Sequence, residues 1–169
     1  IWCAVYVDDM IVFADSKQDL LTFTTALCSQ FEMKDLGRPD LCLGVKFHFS
    51  DNGRRVELSQ KHYIHDILHR FQMEDCKPSK VPLPEGTRDE GTIKDIGHVN
   101  PPNVPFRELV GSLLYLSAMT RPDIATSVSM MARHMQKYTT KHFTTAKRIL
   151  KYLQLTSEYR LVFRTSHVD

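Results

Sequence analysis

Apolar and polar positions follow three different rhythms along this 169-residue chain. Residues 1–6 and 10–14 form two short apolar runs, β-branched and aromatic, with the carboxylates of Asp8 and Asp9 between them. That pattern predicts two strands joined in a hairpin, with Asp8-Asp9 at the turn. Both runs are apolar on both faces, so both strands are expected to be buried. Asp15-Ser16, with Asp19 in the following turn, predicts a helix start. Leu20, Phe23, Leu27 and Phe31 then recur at spacings of three and four, one face of an amphipathic helix. A turn signal at Asp51-Asn52-Gly53 between apolar runs predicts a second hairpin from residues 41–49 and 54–58. Ser59 is placed to cap a helix over residues 60–71, with Tyr63, Ile64, Ile67, Leu68 and Phe71 as its stripe.

The rhythm breaks after that helix. Residues 77–84 are proline-rich and extended, and residues 85–104 are polar without apolar period, which reads as a mobile linker and subdomain boundary. A helical block follows. Phe106, Leu109, Val110, Leu113, Leu114 and Leu116 mark a heavily apolar helix whose pattern Gly111-Ser112 interrupts. Thr120-Arg121-Pro122-Asp123 has the form of a capping box for a helix carrying Ile124, Val128, Met131 and Met135. Thr140 can cap a further helix with Phe143, Ala146, Ile149, Leu150 and Leu153 on one face and Lys141, Lys147, Arg148 and Lys151 off it. Residues 159–163 read as a closing strand. The predicted class is α+β: a hairpin, a helix and a second hairpin, followed by a mainly helical block.

Composition is that of an ordinary globular chain, 42% hydrophobic and 25% charged, which excludes wholesale disorder. No apolar stretch is long enough to span a membrane, and no membrane partner is expected. The start on Ile1, in an apolar strand, suggests an excerpt of something longer. Cys3, Cys28, Cys42 and Cys76 lack Cys-x-x-Cys spacing and sit among apolar residues, as mostly buried reduced thiols would. His65 and His69 are one helical turn apart, a zinc-compatible spacing, but no third and fourth ligands accompany them. Charge is uneven: residues 1–60 hold six Lys/Arg against nine Asp/Glu, and residues 136–169 hold seven against two. An acidic start and a basic end suit a protein that holds metal at one place and a polyanion at another, although a solvated basic helix face gives the same count.

Asp8 and Asp9 carry the chemistry. Adjacent carboxylates repel, and a hard divalent cation relieves them. Magnesium takes one or two carboxylates and leaves its other positions for water and phosphates, and phosphoryl transfer uses two such ions about 3.5–4 Å apart. The plain alternative is an Asp-Asp turn that satisfies only its own backbone.

Tyr6-Val7-Asp8-Asp9 resembles the YxDD box of reverse transcriptases, in the form usual in copia-type retrotransposon Pol polyproteins. The likeness continues through Phe31-Glu32-Met33-Lys34-Asp35-Leu36-Gly37, Leu43-Gly44, Leu58-Ser59-Gln60 with Tyr63, Val110-Gly111-Ser112-Leu113-Leu114-Tyr115-Leu116, Thr120-Arg121-Pro122-Asp123-Ile124 and Ala146-Lys147-Arg148-Ile149-Leu150-Lys151-Tyr152-Leu153. These motifs keep the family's order and cover essentially the whole chain. Phe106, Phe143 and Leu155 depart from the family's usual Tyr, Trp and Gly.

The resemblance implies an RNA-directed DNA polymerase part: the C-terminal half of the palm with catalytic hairpin and primer grip over 1–60, a thumb-like helix and proline-rich segment over 61–84, a linker over 85–104, and a thumb/connection region over 105–169 that leads toward an RNase H domain. It implies that Asp8 and Asp9 are catalytic and bind Mg2+ (or Mn2+), that Tyr6 and Val7 lie against the primer end, and that Leu43 and Gly44 belong to the primer grip. Lys147, Arg148 and Lys151 are then candidates for phosphates of the RNA–DNA hybrid. The implied partners are an RNA template, a DNA primer, deoxynucleoside triphosphates and the remaining Pol regions. The family's third catalytic carboxylate and its fingers lie upstream of the box, so the chain is expected to be inactive alone. The implied location is the cytoplasmic virus-like particle of the parent element, with the nucleus as an alternative. The rival readings are a non-catalytic relic or domesticated nucleic-acid- or protein-binding copy, and an unrelated α+β domain that happens to read Tyr-Val-Asp-Asp.

Overall fold

In the computed structural model, residues 1–50, 53–84, 86–87 and 100–165 are described. Asp51 and Asn52 of the predicted turn and most of the 85–104 segment lie outside the described residues. The chain divides into two compact units, Ile1–Leu43 and Gly44–Asp169.

In the first unit, β1 (Trp2–Tyr6) pairs antiparallel with β2 (Asp9–Phe13). Helix α1 (Lys17–Gln30) follows, and Ser16 caps it as the spacing predicts: its Oγ accepts from Asp19 N at 3.0 Å and donates to Asp19 Oδ2 at 2.7 Å. Leu20, Phe23 and Leu27 of the predicted stripe are half-buried, while Phe31 is exposed. The expected burial of the hairpin does not occur. Every β1 residue is exposed, Trp2 at 79%, and β2 is at most half-buried. An apolar run fills its neighbours' surface only where neighbours exist, and no residue between 1 and 43 is fully buried. The thiols depart from expectation as well: Cys3 and Cys28 are exposed, and Cys42 and Cys76 are half-buried. A two-residue strand, β3 (Leu41–Cys42), ends the unit.

The second unit has a core. Strands β4 (Val45–Ser50) and β5 (Arg55–Ser59) form the second hairpin, and β6 (Leu161–Arg164) returns from the far end of the chain to pair antiparallel with β5. Arg160 Nη1 donates to Glu57 Oε2 at 2.7 Å across that junction, and this bond above all holds the Glu57 carboxyl below its usual range. Among the described residues four α-helices fill the interval: α2 (Lys61–Arg70), α3 (Phe106–Met119), α4 (Ala125–Ala132) and α5 (Thr140–Leu155). Their stripes close on one cluster. Ile67, Phe106, Leu109, Leu113, Leu116, Ile124, Val128, Ile149 and Leu153 are wholly buried in it. Gly111-Ser112 does not interrupt α3, and the Ser112 hydroxyl is satisfied within the helix by the Glu108 carbonyl at 3.0 Å.

Three caps differ from the sequence expectation. At α2 the N-cap is Gln60, without a side-chain cap bond, and Ser59 only accepts from Lys61 N at 3.3 Å through its Oγ. Thr139, not Thr140, caps α5, with His142 Nδ1 accepting from Thr139 N at 3.0 Å. Thr120-Arg121-Pro122-Asp123 does not form a capping box. Thr120 Oγ1 donates instead to Gln60 Oε1 at 2.8 Å, and residues Pro122–Ile124 make a 3-10 turn ahead of α4.

Arg121 explains the departure. Its side chain is 1% exposed. The guanidinium forks onto Asp123 at 3.0 and 2.8 Å and donates to the Thr156 carbonyl at 3.0 Å and to Thr156 Oγ1 at 2.6 Å. Tyr152 and Tyr159 flank it at 5.6 and 5.4 Å. A buried guanidinium needs its charge and donors matched, and this set matches them. Asp123 is pushed up by burial, but the Arg121 hydrogen bonds and charge, with a bond from Tyr152, outweigh that and leave it below the usual carboxylate range.

Removing the fork strands Asp123 and two Thr156 oxygens. Arg121→Ala is expected to lower the unfolding free energy by about 2–3 kcal/mol, read from urea melts. Because the folded Asp123 carboxyl titrates below its unfolded value, its contribution is present at neutral pH and is lost as pH falls below about 4. Asp123→Asn should flatten that acid limb of the stability profile.

Candidate active site

The β1–β2 register places Tyr6 opposite Asp9, so the two-residue connection is Val7-Asp8. The turn therefore sits one residue earlier than the sequence suggests, and Asp9 is the first residue of β2. Val7 has φ +51°. A β-branched side chain in the left-handed region is a backbone outlier costing about 1–3 kcal/mol, and such strain concentrates at functional sites. Its effect here is to lift Asp8 to the tip while Asp9 stays in the ladder beside it. Tyr6, Val7, Asp8 and Asp9 are all exposed. Among the described residues, neither carboxylate has a hydrogen-bonded or ion-paired partner, so both are available to an external ligand.

Cys42 is a neighbour that the sequence did not reveal. Burial first, and then the negative charge of Asp9, push its thiol above the usual range. Nothing in residue spacing links position 42 to position 9. No group of three or more His, Cys, Asp or Glu side chains clusters to hold an ion among the described residues.

Leu43 and Gly44 both adopt positive φ, +50° and +74°. Two successive left-handed residues are the mark of a tight type I′ turn. A Cβ built on Gly44 would meet nothing within 4 Å. The positive φ is a conformation that glycine adopts without strain, and it accounts for the residue type at position 44. Lys147, Arg148 and Lys151 belong to α5 in the second unit. They line an open groove with Met73, Lys77, Pro78, Ser79 and Thr144.

Residues 1–85 match the family model described as reverse transcriptase (RNA-dependent DNA polymerase). The chain belongs to the reverse transcriptase family. Its relatives place it among copia-type retrotransposon Pol polyproteins. It is 35% identical to the Retrovirus-related Pol polyprotein from transposon TNT 1-94 of Nicotiana tabacum over 94% of this chain and 12% of that protein. It is 32% identical to a transposon Ty5-1 protein of Saccharomyces cerevisiae over 98% of this chain and 52% of that one. It is also 35% identical to a mitochondrial protein of Arabidopsis thaliana over 90% of this chain and 60% of that one. The reverse transcriptase chain thus spans about an eighth to three-fifths of the length of these curated relatives. No solved structure matches it. The matched 85 residues contain the Val7-Asp8 turn, so the exposed hairpin does not revive the unrelated-domain reading.

The strain at Val7 is measurable. Val7→Gly should stabilise the β1–β2 hairpin by about 1 kcal/mol, seen as slower amide exchange in β1 and β2 with little change in the second unit.

Proposed function

We propose that this chain supplies part of the polymerising centre of a copia-type Pol polyprotein, extending a DNA primer 3′ end on an RNA or DNA template. The observation that carries the reading is the paired carboxylates of Asp8 and Asp9, unpartnered among the described residues, on a strained hairpin tip inside the family-matched segment. Their hard oxygens on an open turn fit Mg2+ or Mn2+, which need few protein ligands and keep positions for phosphate and water. Bound there, the ions would supply charge stabilisation at the attacking and leaving oxygens of nucleotidyl transfer. Asp8 and Asp9 hold them, at the turn that the left-handed backbone of Val7 helps to form. Tyr6 and Val7, exposed beside them, lie against the primer terminus. Leu43 and Gly44 form the primer-grip turn, exposed between β3 and β4.

In this reading residues 1–60 are palm and the helices of the second unit are thumb and connection. The template–primer hybrid, deoxynucleoside triphosphates and the remaining Pol regions, fingers and RNase H among them, are its partners. Copying takes place in the cytoplasmic particle of the parent element. Two carboxylates do not by themselves build the two-metal geometry that the family makes with three, so in this reading the chain by itself does not polymerise.

Primer extension on a homopolymer template tests this. A Pol protein containing this chain should incorporate nucleotides with magnesium or manganese, and Asp8→Asn or Asp9→Asn should reduce incorporation by about a thousandfold or more. The chain alone should show none. Undiminished synthesis in either Asn variant would refute the carboxylate assignment, and synthesis by the chain alone would refute its predicted inactivity.

A further inference from the structure

The groove on α5 is built by two pieces of chain far apart in sequence. On one side Thr144, Lys147, Arg148 and Lys151 recur along α5 at helical spacing. On the other runs the proline-rich segment with Lys77, Pro78 and Ser79. Three bonds hold that segment against the helix: Ser79 N donates to the Lys151 carbonyl at 3.1 Å, Cys76 Sγ to Gln154 Oε1 at 3.3 Å, and Gln154 Nε2 to the Glu74 carbonyl. Met73, buried in the core, anchors its start. The resulting trough has a volume of about 570 Å³.

Its charge is one-sided. Lys77, Lys147, Arg148 and Lys151 face it, and among the described residues no carboxylate lines it. In the same unit Arg55 and Arg160 pair with Glu57, Lys61 with Glu158, Arg70 with Glu108 and Arg121 with Asp123. Among the described residues none of the four groove cations is ion-paired, and Lys147 rests on the Phe143 ring at 5.1 Å. Like charges gathered in one trough repel unless an anion enters. Lys147 and Lys151 lie one helical turn apart, and Lys77 approaches from the other wall. Cations on both walls and along a helical turn suit a linear polyanion running along the trough.

We propose that this groove is a sequence-independent seat for the phosphate backbone of a nucleic-acid strand, and that Lys77 on the proline-rich segment is as much part of it as the three cations of α5. The inference rests on the nucleic-acid side of the proposed function and needs nothing from Asp8 and Asp9. It extends the helix-borne contacts to a two-walled site whose second wall is preset by proline and by the Ser79–Lys151 bond. With φ fixed at Pro78, Lys77 is held in place with less ordering to do when a strand arrives.

The test is equilibrium binding of a fluorescent RNA–DNA hybrid and a single-stranded DNA to the full chain, over a salt series and with two unrelated base sequences. Affinity should fall linearly with log salt. Lys77→Ala should lower that slope by about 1, as should Lys151→Ala, and the four-fold alanine variant by about 3–4, equally for both sequences. Arg replacements that keep the charge should keep the slope, which separates charge from folding defects, and circular dichroism should be unchanged throughout. Wild-type binding with an unaltered slope in the Lys77 and four-fold variants would overturn the groove while leaving polymerisation intact. Absence of any binding by the wild-type chain would overturn both the groove and the nucleic-acid reading of α5. Equal affinity for a poly-glutamate peptide would reassign the groove to an acidic protein segment and refute the phosphate assignment.

Discussion

The second unit depends on one buried cation. Arg121 stands at the start of the 3-10 turn before α4, and its donors end on Asp123 beside it and on Thr156 just past α5. A guanidinium that is 1% exposed can persist only if every strong donor direction is met. Meeting them sets the end of α5 against the start of α4 and brings Tyr152 and Tyr159 onto its two sides. Three residues past Thr156, the chain turns toward β6, which joins β5 and so closes the unit from its two ends. The basic face of α5 has a defined direction because the opposite face and the C-terminal end are held. Ile149, Leu150 and Leu153 are inside, and Thr156 is gripped. Lys147, Arg148 and Lys151 are left outside.

The first unit obeys a different constraint. Its helix and hairpin form from local signals, a Ser16 cap and β-branched runs, but these do not produce a core. Trp2, Val5, Phe13, Leu21 and Leu36 are exposed although their residue types favour burial. Apolar side chains of this size left to water suit contact with another body. That agrees with a chain that spans 12% of the Nicotiana Pol polyprotein it resembles, where additional chain is available to cover it.

What was legible in the sequence separates along the same line. The stripes of α2, α3 and α5 were readable because 3.6-residue periodicity reports a face, and the cluster that buries those faces lies within the chain. Burial of β1 and β2 was not readable, because a strand apolar on both faces reports only that it wants cover. Boundaries slipped by one residue where two candidates competed. Thr139 took the α5 cap from Thr140 because His142 could complete the box only with it. The turn fell on Val7-Asp8 because the pairing of Tyr6 with Asp9 closes the ladder, even though turn chemistry disfavours valine there. Thr120 and Arg121 looked like capping residues from their spacing, and tertiary partners 35 and 60 positions away claimed them instead. The Cys42–Asp9 proximity left no local trace.

Uncompensated charge is the feature that local rules cannot supply and that the site reading turns on. Glu57, Asp123 and Glu158 are all drawn below the usual carboxylate range by nearby cations, Arg160, Arg121 and Lys61 among them. Asp8 and Asp9 have no such partners among the described residues, and neither do the four cations of the α5 groove. A folded chain gains nothing by setting like charges side by side; it gains by pairing them, as it does at every other junction named. Two gatherings of opposite sign, one on a strained hairpin tip and one between a helix and a proline-rich strap, are therefore open to ions from outside. Under the function proposed above, a divalent cation would answer the first and a phosphate backbone the second.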